Sequence, residues 1–405
     1  AFAVIATLLT ATFVAAEKPK ITSQDDIPRF EYDLDVKATD ILTDPVAYQA
    51  LADRVQVDLE KLIDENDIQD RSTLQGILST LMLIDLQKGD HESALKRLGM
   101  VRDLEAKPAN KLTTGILMES VIAARAKDYA SDDAYRAAFA EIYAEKIDAL
   151  PYEIVGDNIK SAKGSAEIVT DALLIGLIGS QVQPGLDKTG LGRGDVAQAL
   201  VSRRSSIEAF NPLQAERVAV MQRYVDANHV EKEDIWAARN VTLDDNEDLT
   251  PVTVAIWDSG IDNAIFAPMG KVWINAAEDL DGSDTDENGK VDDVNGIAFD
   301  LHSNPSSDML YPLDDAQLAA YPDQLAMTKG LLDLQANIDS PEASDLRSYL
   351  SKIAAEDVEG FIENLGLYGN YTHGTHVAGI AAAGNPAIKL MNSRITFDYR
   401  IIPDI

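Results

Sequence analysis

The segment His373-Gly374-Thr375-His376-Val377-Ala378-Gly379 decides how the C-terminal part of this chain is interpreted. Small apolar residues follow it, and Gly384-Asn385-Pro386 then supplies the glycine and proline that typically end a helix. We therefore predict a helix that begins at His373 and carries an imidazole on its first residue. Gly374 has no Cβ, so the backbone there can approach a substrate or a neighbouring strand closely.

A second segment lies upstream, where Pro251 to Trp257 form a short, nearly continuous apolar run rich in β-branched residues. Such a run is typical of a strand buried on both faces of a parallel sheet. The run ends at Asp258. Because open α/β sheets place their sites at the carboxyl ends of the strands, this acid is a candidate site residue.

Taken together, Asp258-Ser259-Gly260 after a strand and the segment 373–379 opening a helix resemble the subtilisin-like serine peptidases. That family has its triad in the order Asp, His, Ser. The resemblance implies that Asp258 orients the imidazole and that His373 is the general base and then the general acid. It also implies an α/β fold with a parallel sheet and the cleavage of peptide bonds in protein or peptide substrates.

The nucleophile of the implied triad has no counterpart in the 405 residues. The resemblance implies a serine in a Gly-Thr-Ser-Met-Ala-like motif, and an asparagine that helps to bind the oxyanion, both beyond Ile405. Ser259 is not a substitute, because the family has that serine beside the acid. We therefore expect a fragment that lacks the serine, is inactive alone and leaves an open hydrophobic sheet edge. The alternative is a non-catalytic surface or binding protein with a degenerate subtilisin-like domain.

The composition is strongly acidic, with 35 basic and 68 acidic side chains and a net charge of −33. A nucleic-acid partner is not expected, because phosphate binding needs basic patches. The chain has no cysteine, which excludes disulfides and thiolate metal sites. After the first 16 residues there is no long uncharged apolar run, so no membrane span is expected.

Residues 1–16 are uncharged and apolar or small, and they end in Val14-Ala15-Ala16 before Glu17. This pattern predicts the apolar core and cleavage region of a secretory signal, and hence a secreted or periplasmic protein. An ordinary N-terminal helix is the alternative.

Residues 22–243 are predicted to be a helical N-terminal region, with an extended lead-in to about residue 46 and a glycine-rich loop at 183–194. Two apolar patterns on either side of Gly89-Asp90 predict either one tetratricopeptide-type hairpin or an ordinary helical hairpin. An acidic connector, residues 244–248, precedes the predicted peptidase domain at 249–405. The role of the helical region stays open between a removable inhibitor, a fixed scaffold and a partner-binding module.

Asp258 and His373 are 115 positions apart, more than in the compact members of the family. Apolar patterns at Asp314–Ala336 and Ser340–Leu365 predict a helical insertion at residues 301–370. It either roofs the substrate cleft or docks on the helical region. Beyond the helix, residues 387–391 and 395–399 are predicted strands, and a right-handed crossover would make the first parallel to the strand that ends at Asp258.

The loop after Asp258 is rich in acids, and its spacing resembles that of a calcium-binding loop. Side-chain oxygens fall at positions one, three, five and nine of the loop, namely Asp284, Asp286, Asn288 and Asp292. The sixth position is a glycine, but the twelfth is Asn295 instead of glutamate. We predict a structural calcium ion at these four residues, with a cluster of solvated Asp and Asn turns as the alternative.

The sequence thus predicts an α/β protein. An all-helical N-terminal region is followed by an incomplete subtilisin-like parallel-sheet domain with a helical insertion.

Overall fold

The computed structural model describes residues 18–230, 233–244 and 248–403, so the predicted signal segment at 1–16 lies outside the described residues. The described residues form a mixed α/β fold in which helices predominate. The helices, in chain order, are α1 (Ala38–Thr43), α2 (Pro45–Glu65), α3 (Arg71–Lys88), α4 (His91–Leu104), α5 (Pro108–Thr113), α6 (Ile116–Arg125), α7 (Asp132–Asp148), α8 (Tyr152–Ile168), α9 (Asp171–Gln181), α10 (Gln183–Thr189), α11 (Gly194–Ser205), α12 (Gln214–Ala227), α13 (Asn263–Phe266), α14 (Asp315–Ala336), α15 (Pro341–Leu350) and α16 (Val358–Ala382). The strands are β1 (Lys20–Ile21), β2 (Glu31–Asp33), β3 (Asp67–Ile68), β4 (Leu191–Arg193), β5 (Val252–Asp258), β6 (Gly296–Phe299), β7 (Pro305–Ser306) and β8 (Ile388–Arg394).

The chain divides into two compact units. Unit 1 contains the residues up to Asp128 together with Thr189–Phe210, and unit 2 contains Tyr129–Lys188 and the residues from Asn211 onwards. The predicted helical region at 22–243 is therefore shared between the units. Helices α7, α8, α9 and α12 belong to the same unit as the sheet that ends at Asp258, so the acidic connector does not separate two units.

Within the described residues, no single helix has the length and apolarity needed to cross a bilayer. The helical stretches Tyr152–Ile168 and Asp171–Thr189 meet these two criteria only as a pair, and they bend by 79° where they join.

Unit 1 contains the predicted helical hairpin, formed by α3 and α4. Gly89 adopts a left-handed conformation (φ 76°) at the end of α3, and the side chain of Asp90 caps α4 by accepting a hydrogen bond from the Ser93 backbone N–H. The loop predicted at 183–194 is wrong, because that stretch forms α10 and β4. β4 pairs antiparallel with β2, a contact from distant sequence that no local pattern reveals.

Asp85 of α3 is buried and pairs with Arg97 of α4 at 2.8 Å. Burial raises the pKa of the Asp85 carboxyl to about 6, although Arg97 acts in the opposite direction. The folded state therefore favours the protonated acid. Its contribution to stability is complete below pH ~4 and is lost as the pH rises through about 6.

We expect the free energy of unfolding of the wild type, relative to that of Asp85→Asn, to fall by about 2 kcal/mol between pH 4 and pH 7. The variant keeps the side chain neutral at every pH, so the difference isolates this group. Urea denaturation of both proteins, with hydrogen exchange of α3 amides as a local probe, measures it. Parallel pH profiles would show that Asp85 titrates alike in the folded and unfolded chains.

The sheet of unit 2 has the order β5-β8-β6-β7. β8 pairs in parallel with both β5 and β6, and β7 is antiparallel to β6. Apolar side chains of β5 and β8 pack against Ala378 and Ala382 of α16. The predicted parallel pairing of the strand after the helix is confirmed, whereas residues 395–399 do not form a strand.

The prediction that β5 is buried on both faces is wrong. Ile256 is buried under α16, but Trp257 on the opposite face is 77% exposed. Among the described residues β5 pairs with β8 alone, so its other edge is open. The apolar run reflects strand propensity, and burial of the second face depends on elements that the described residues do not place there.

The region predicted as an insertion contains α14, α15 and the N-terminal part of α16. The helix predicted to begin at His373 begins instead at Val358, so His373 lies well inside α16. Residues 359–372 contain no proline, and the helix of the insertion continues through their three glycines into the histidine segment. The predicted end is confirmed, since α16 stops at Ala382 and Gly384 takes φ 70°.

Candidate active site

The structure brings Asp258 and His373 together. Asp258 is the last residue of β5, and its Oδ1 lies 2.7 Å from Nδ1 of His373 on α16. The side chain of His373 is 67% exposed and that of Asp258 is 17% exposed. Because Nδ1 is engaged by the carboxylate, Nε2 is the ring nitrogen left for proton transfer with a substrate or nucleophile.

The carboxylate of Asp258 is held in its charged form. Partial burial would raise its pKa, but the hydrogen bonds with His373 and with the Ser259 backbone N–H (2.7 Å) outweigh this effect and lower the pKa below its usual value. At neutral pH an ionised carboxylate therefore faces the imidazole. Such a partner favours the tautomer that carries its proton on Nδ1 and stabilises the imidazolium when it forms.

Gly374 brings α16 against the loop that follows β5. A Cβ at this position would overlap the carbonyl oxygen of Gly260, which itself has φ 111°. The backbone N–H of Gly374 donates to Oγ of Ser259 at 3.1 Å. Ser259 is only 4% exposed, so its buried hydroxyl ties the acid-bearing loop to the helix. The expected close approach at Gly374 is thus made to a neighbouring loop.

Two further residues position the loop, and sequence reasoning missed both. Oγ of Thr375 accepts a hydrogen bond from the Asp262 backbone N–H at 2.9 Å. Nδ2 of Asn392, a fully buried residue of β8, donates to the carbonyl oxygens of Ile261 (3.1 Å) and Met309 (2.8 Å). Thr375 was within the quoted segment, but nothing in the sequence around Asn392 indicates this role.

All four predicted metal ligands accept hydrogen bonds from backbone N–H groups of their own loop. Asp284 and Asp292 each accept hydrogen bonds from two backbone N–H groups of their own loop. The side-chain oxygen of Asn288 accepts from a backbone N–H group as well. Of the four residues, only Asp286 belongs to a group of acids that could hold a metal ion. The loop folds into turns that use these oxygens as caps, and the ligand set taken from the spacing stays a prediction.

The acidic group consists of Glu278, Asp286 and Asp293, with one carboxylate oxygen of each within 4.8 Å of the others. Glu278 is 5% exposed and Asp293 is 9% exposed. The amide nitrogens of Asn275 and Asn288 donate to both Asp286 and Asp293. In the described part of the chain, no Lys or Arg side chain forms an ion pair with these three acids. Hard oxygen ligands of this kind suit a divalent cation such as calcium.

The other histidines of unit 2 do not join the pair. His229 is exposed after the end of α12, His376 is exposed on α16, and His302 lies in an exposed turn where its backbone N–H donates to Asp300. The acid–imidazole pair therefore consists of the two residues that the motifs indicated.

Comparisons with protein-family models, with curated proteins and with solved structures find no match to this chain. The interpretation of the site therefore depends on the two motifs and on the geometry that joins them.

Proposed function

We propose that this protein is a subtilisin-like serine endopeptidase that acts outside the cytoplasm. The observation that supports the proposal most directly is the 2.7 Å hydrogen bond between His373 and Asp258. Two motifs that are far apart in the sequence supply these residues, one from a strand end and one from a helix. The apolar stretch before Glu17 supports export.

In the proposed reaction, Nε2 of His373 takes the proton of a serine hydroxyl as the oxygen attacks the peptide carbonyl. Asp258 stabilises the imidazolium that results. His373 then passes the proton to the amine of the leaving group. The amine departs, and the serine remains acylated as the acyl-enzyme. Water, deprotonated by the same imidazole, releases the acid product and regenerates the serine.

The proposal requires a serine hydroxyl within reach of Nε2. The 405 residues contain no Gly-Thr-Ser motif, and the hydroxyl of Ser259 is buried against Gly374. The nucleophile is therefore not assigned to any of the 405 residues. The chain of 405 residues is then expected to be inactive by itself.

Activity-based labelling tests the proposal. The protein expressed from its complete reading frame is treated with a fluorophosphonate, which reacts covalently with activated serines. We expect one labelled serine, and loss of the label in the His373→Ala variant. If the folded protein takes up no label, the function is instead that of a non-catalytic binding protein, in which Asp258 and His373 have only a structural role.

We also propose that Glu278, Asp286 and Asp293 bind a structural calcium ion. Three carboxylates this close repel one another, and a divalent cation removes that repulsion. Rotation of the neighbouring Asn275 and Asn288 amides would present oxygen ligands in place of their N–H groups. The ion would brace the loop between β5 and β6, far along the chain from His373.

Calcium at 100 times its dissociation constant is expected to raise the Tm of the protein by roughly 5 °C, since binding at that ratio stabilises the folded state by about 2.7 kcal/mol. The Glu278→Gln variant should lose this rise. Asp279→Asn is the matched control, because Asp279 is the adjacent acid but is exposed and lies outside the group. Calorimetric titration with calcium measures the affinity directly, and equal Tm values with and without calcium would disprove the site.

A further inference from the structure

Two helices of the N-terminal region share a hydrophobic core with the insertion. Leu173 of α9 is buried in one cluster with Leu346 and Leu350 of α15 and with Val358 and Phe361 of α16. All of these residues belong to unit 2. The apolar face of α9 is therefore covered by the insertion, and separating the two would expose side chains on both sides to water.

The backbones meet closely at two glycines of this contact. A Cβ on Gly164 of α8 would lie 2.5 Å from the carbonyl oxygen of Leu334, and one on Gly176 of α9 would lie 2.5 Å from that of Ala355. Neither site tolerates a side chain unless the backbones separate. Close packing of this kind indicates a contact shaped for this one partner.

Charged groups also cross the contact. Glu167 of α8 pairs with Lys163 at 3.0 Å and with Arg347 of α15 at 2.8 Å. The side chains of Lys163 and Glu167 are 7% and 2% exposed. A buried carboxylate needs its partners, because an uncompensated charge in such a place is strongly destabilising. Arg347 supplies the partner that comes from the insertion.

The same contact supports the helix that carries the candidate catalytic imidazole. A Cβ on Gly176 would also lie 2.5 Å from Cβ of Val358, the first residue of α16. His373 lies farther along this helix. The N-terminal helices thus fix one end of α16, and the loop after β5 fixes it again at Gly374.

We propose that α8 and α9 are a permanent docking partner of the insertion, so that these two helices are a fixed scaffold and not part of a pro-segment that is released by a cut. The insertion then docks on these helices, which is one of the two roles left open for it by the sequence. Association of these two parts of the chain does not depend on the chemistry at Asp258 and His373.

A cut chain tests the proposal. A recognition site for a sequence-specific protease is inserted between His229 and Val230, two exposed residues after the end of α12. The full 405-residue chain is cut there and run on size exclusion over a dilution series. We expect the two pieces to elute together in native buffer and to separate in denaturant. Separation of the wild-type pieces in native buffer would overturn the proposal.

Two variants test whether the contact described here holds the pieces together. We expect Gly176→Leu and Arg347→Glu each to raise the apparent Kd of the cut pieces at least about 10-fold. The controls are Gly185→Leu, a helical glycine with open space around it, and Lys352→Glu, the same charge change at an exposed position of the insertion. Circular dichroism verifies folding, and Arg347→Glu decides the matter if Gly176→Leu does not fold. If neither variant weakens the association more than its control, the proposal is wrong.

Discussion

Replacement of His373 by alanine is expected to lower kcat by about 10⁶-fold in the protein expressed from its complete reading frame, with little change in KM. The size of the effect follows subtilisin, where removal of the catalytic base costs about as much as removal of the whole triad. Without the imidazole, no group accepts the serine proton in the transition state. Hydrolysis of a peptide substrate, with the folded state verified by circular dichroism, measures the loss.

The matched control for this variant is His376→Ala. His376 lies on the same helix and is exposed, but it has no part in the pair with Asp258. Its replacement should leave kcat unchanged. Substantial activity in His373→Ala, or an equal loss in both variants, would remove His373 from the role of catalytic base.

Asp258→Asn is expected to lower kcat by about 10⁴-fold. The amide oxygen can still accept the hydrogen bond from the Ser259 backbone N–H, so the loop should keep its shape. What is lost is the negative charge that holds the imidazole with its proton on Nδ1 and stabilises the imidazolium. Steady-state hydrolysis of the same peptide measures the loss, and Asp323→Asn on the exposed surface of α14 is the control.

The pKa of Asp258 gives this prediction a pH dependence. Because hydrogen bonds lower that pKa in the folded state, the carboxylate stays charged down to below its usual range near pH 4. The stability it contributes is present above the unfolded pKa and is lost as the pH falls through the folded value. The ratio of wild-type activity to that of Asp258→Asn should therefore stay high from pH 5 to pH 8. If the loss of activity caused by Asp258→Asn vanished within this window, the assigned role would be contradicted.

Local sequence patterns predicted several structural features of unit 2. The apolar run before Asp258 predicted a strand, and Gly384 with Pro386 predicted the end of a helix, because backbone propensities act over a few residues. The start of α16 could not be predicted in the same way. The insertion contributes a helix that continues into residue 373, so the histidine segment has no N-terminus of its own.

At the candidate metal site, local spacing in the sequence did not identify the group of acids that the fold brings together. Spacing along the loop pointed to Asp284, Asp286, Asn288 and Asp292, and of these only Asp286 belongs to the acidic group in the structure. Glu278 and Asp293 were overlooked, since each lies at one end of the loop and only the folded loop brings them together. Spacing within one stretch of sequence does not show which side chains meet when the loop folds.

By itself, the sequence identified Asp258 and His373 as the candidate pair. It also predicted the strand that ends at Asp258 and a helix that contains His373. These features depend on residue type and on short-range backbone preferences. Only the tertiary structure decided that the two side chains lie within a hydrogen bond of each other, that helices α8 and α9 pack against the insertion, and that three separate acids converge. Each of these depends on contacts between residues far apart along the chain, whose free energy comes from burial and packing in the folded state and leaves no periodic signal in the sequence.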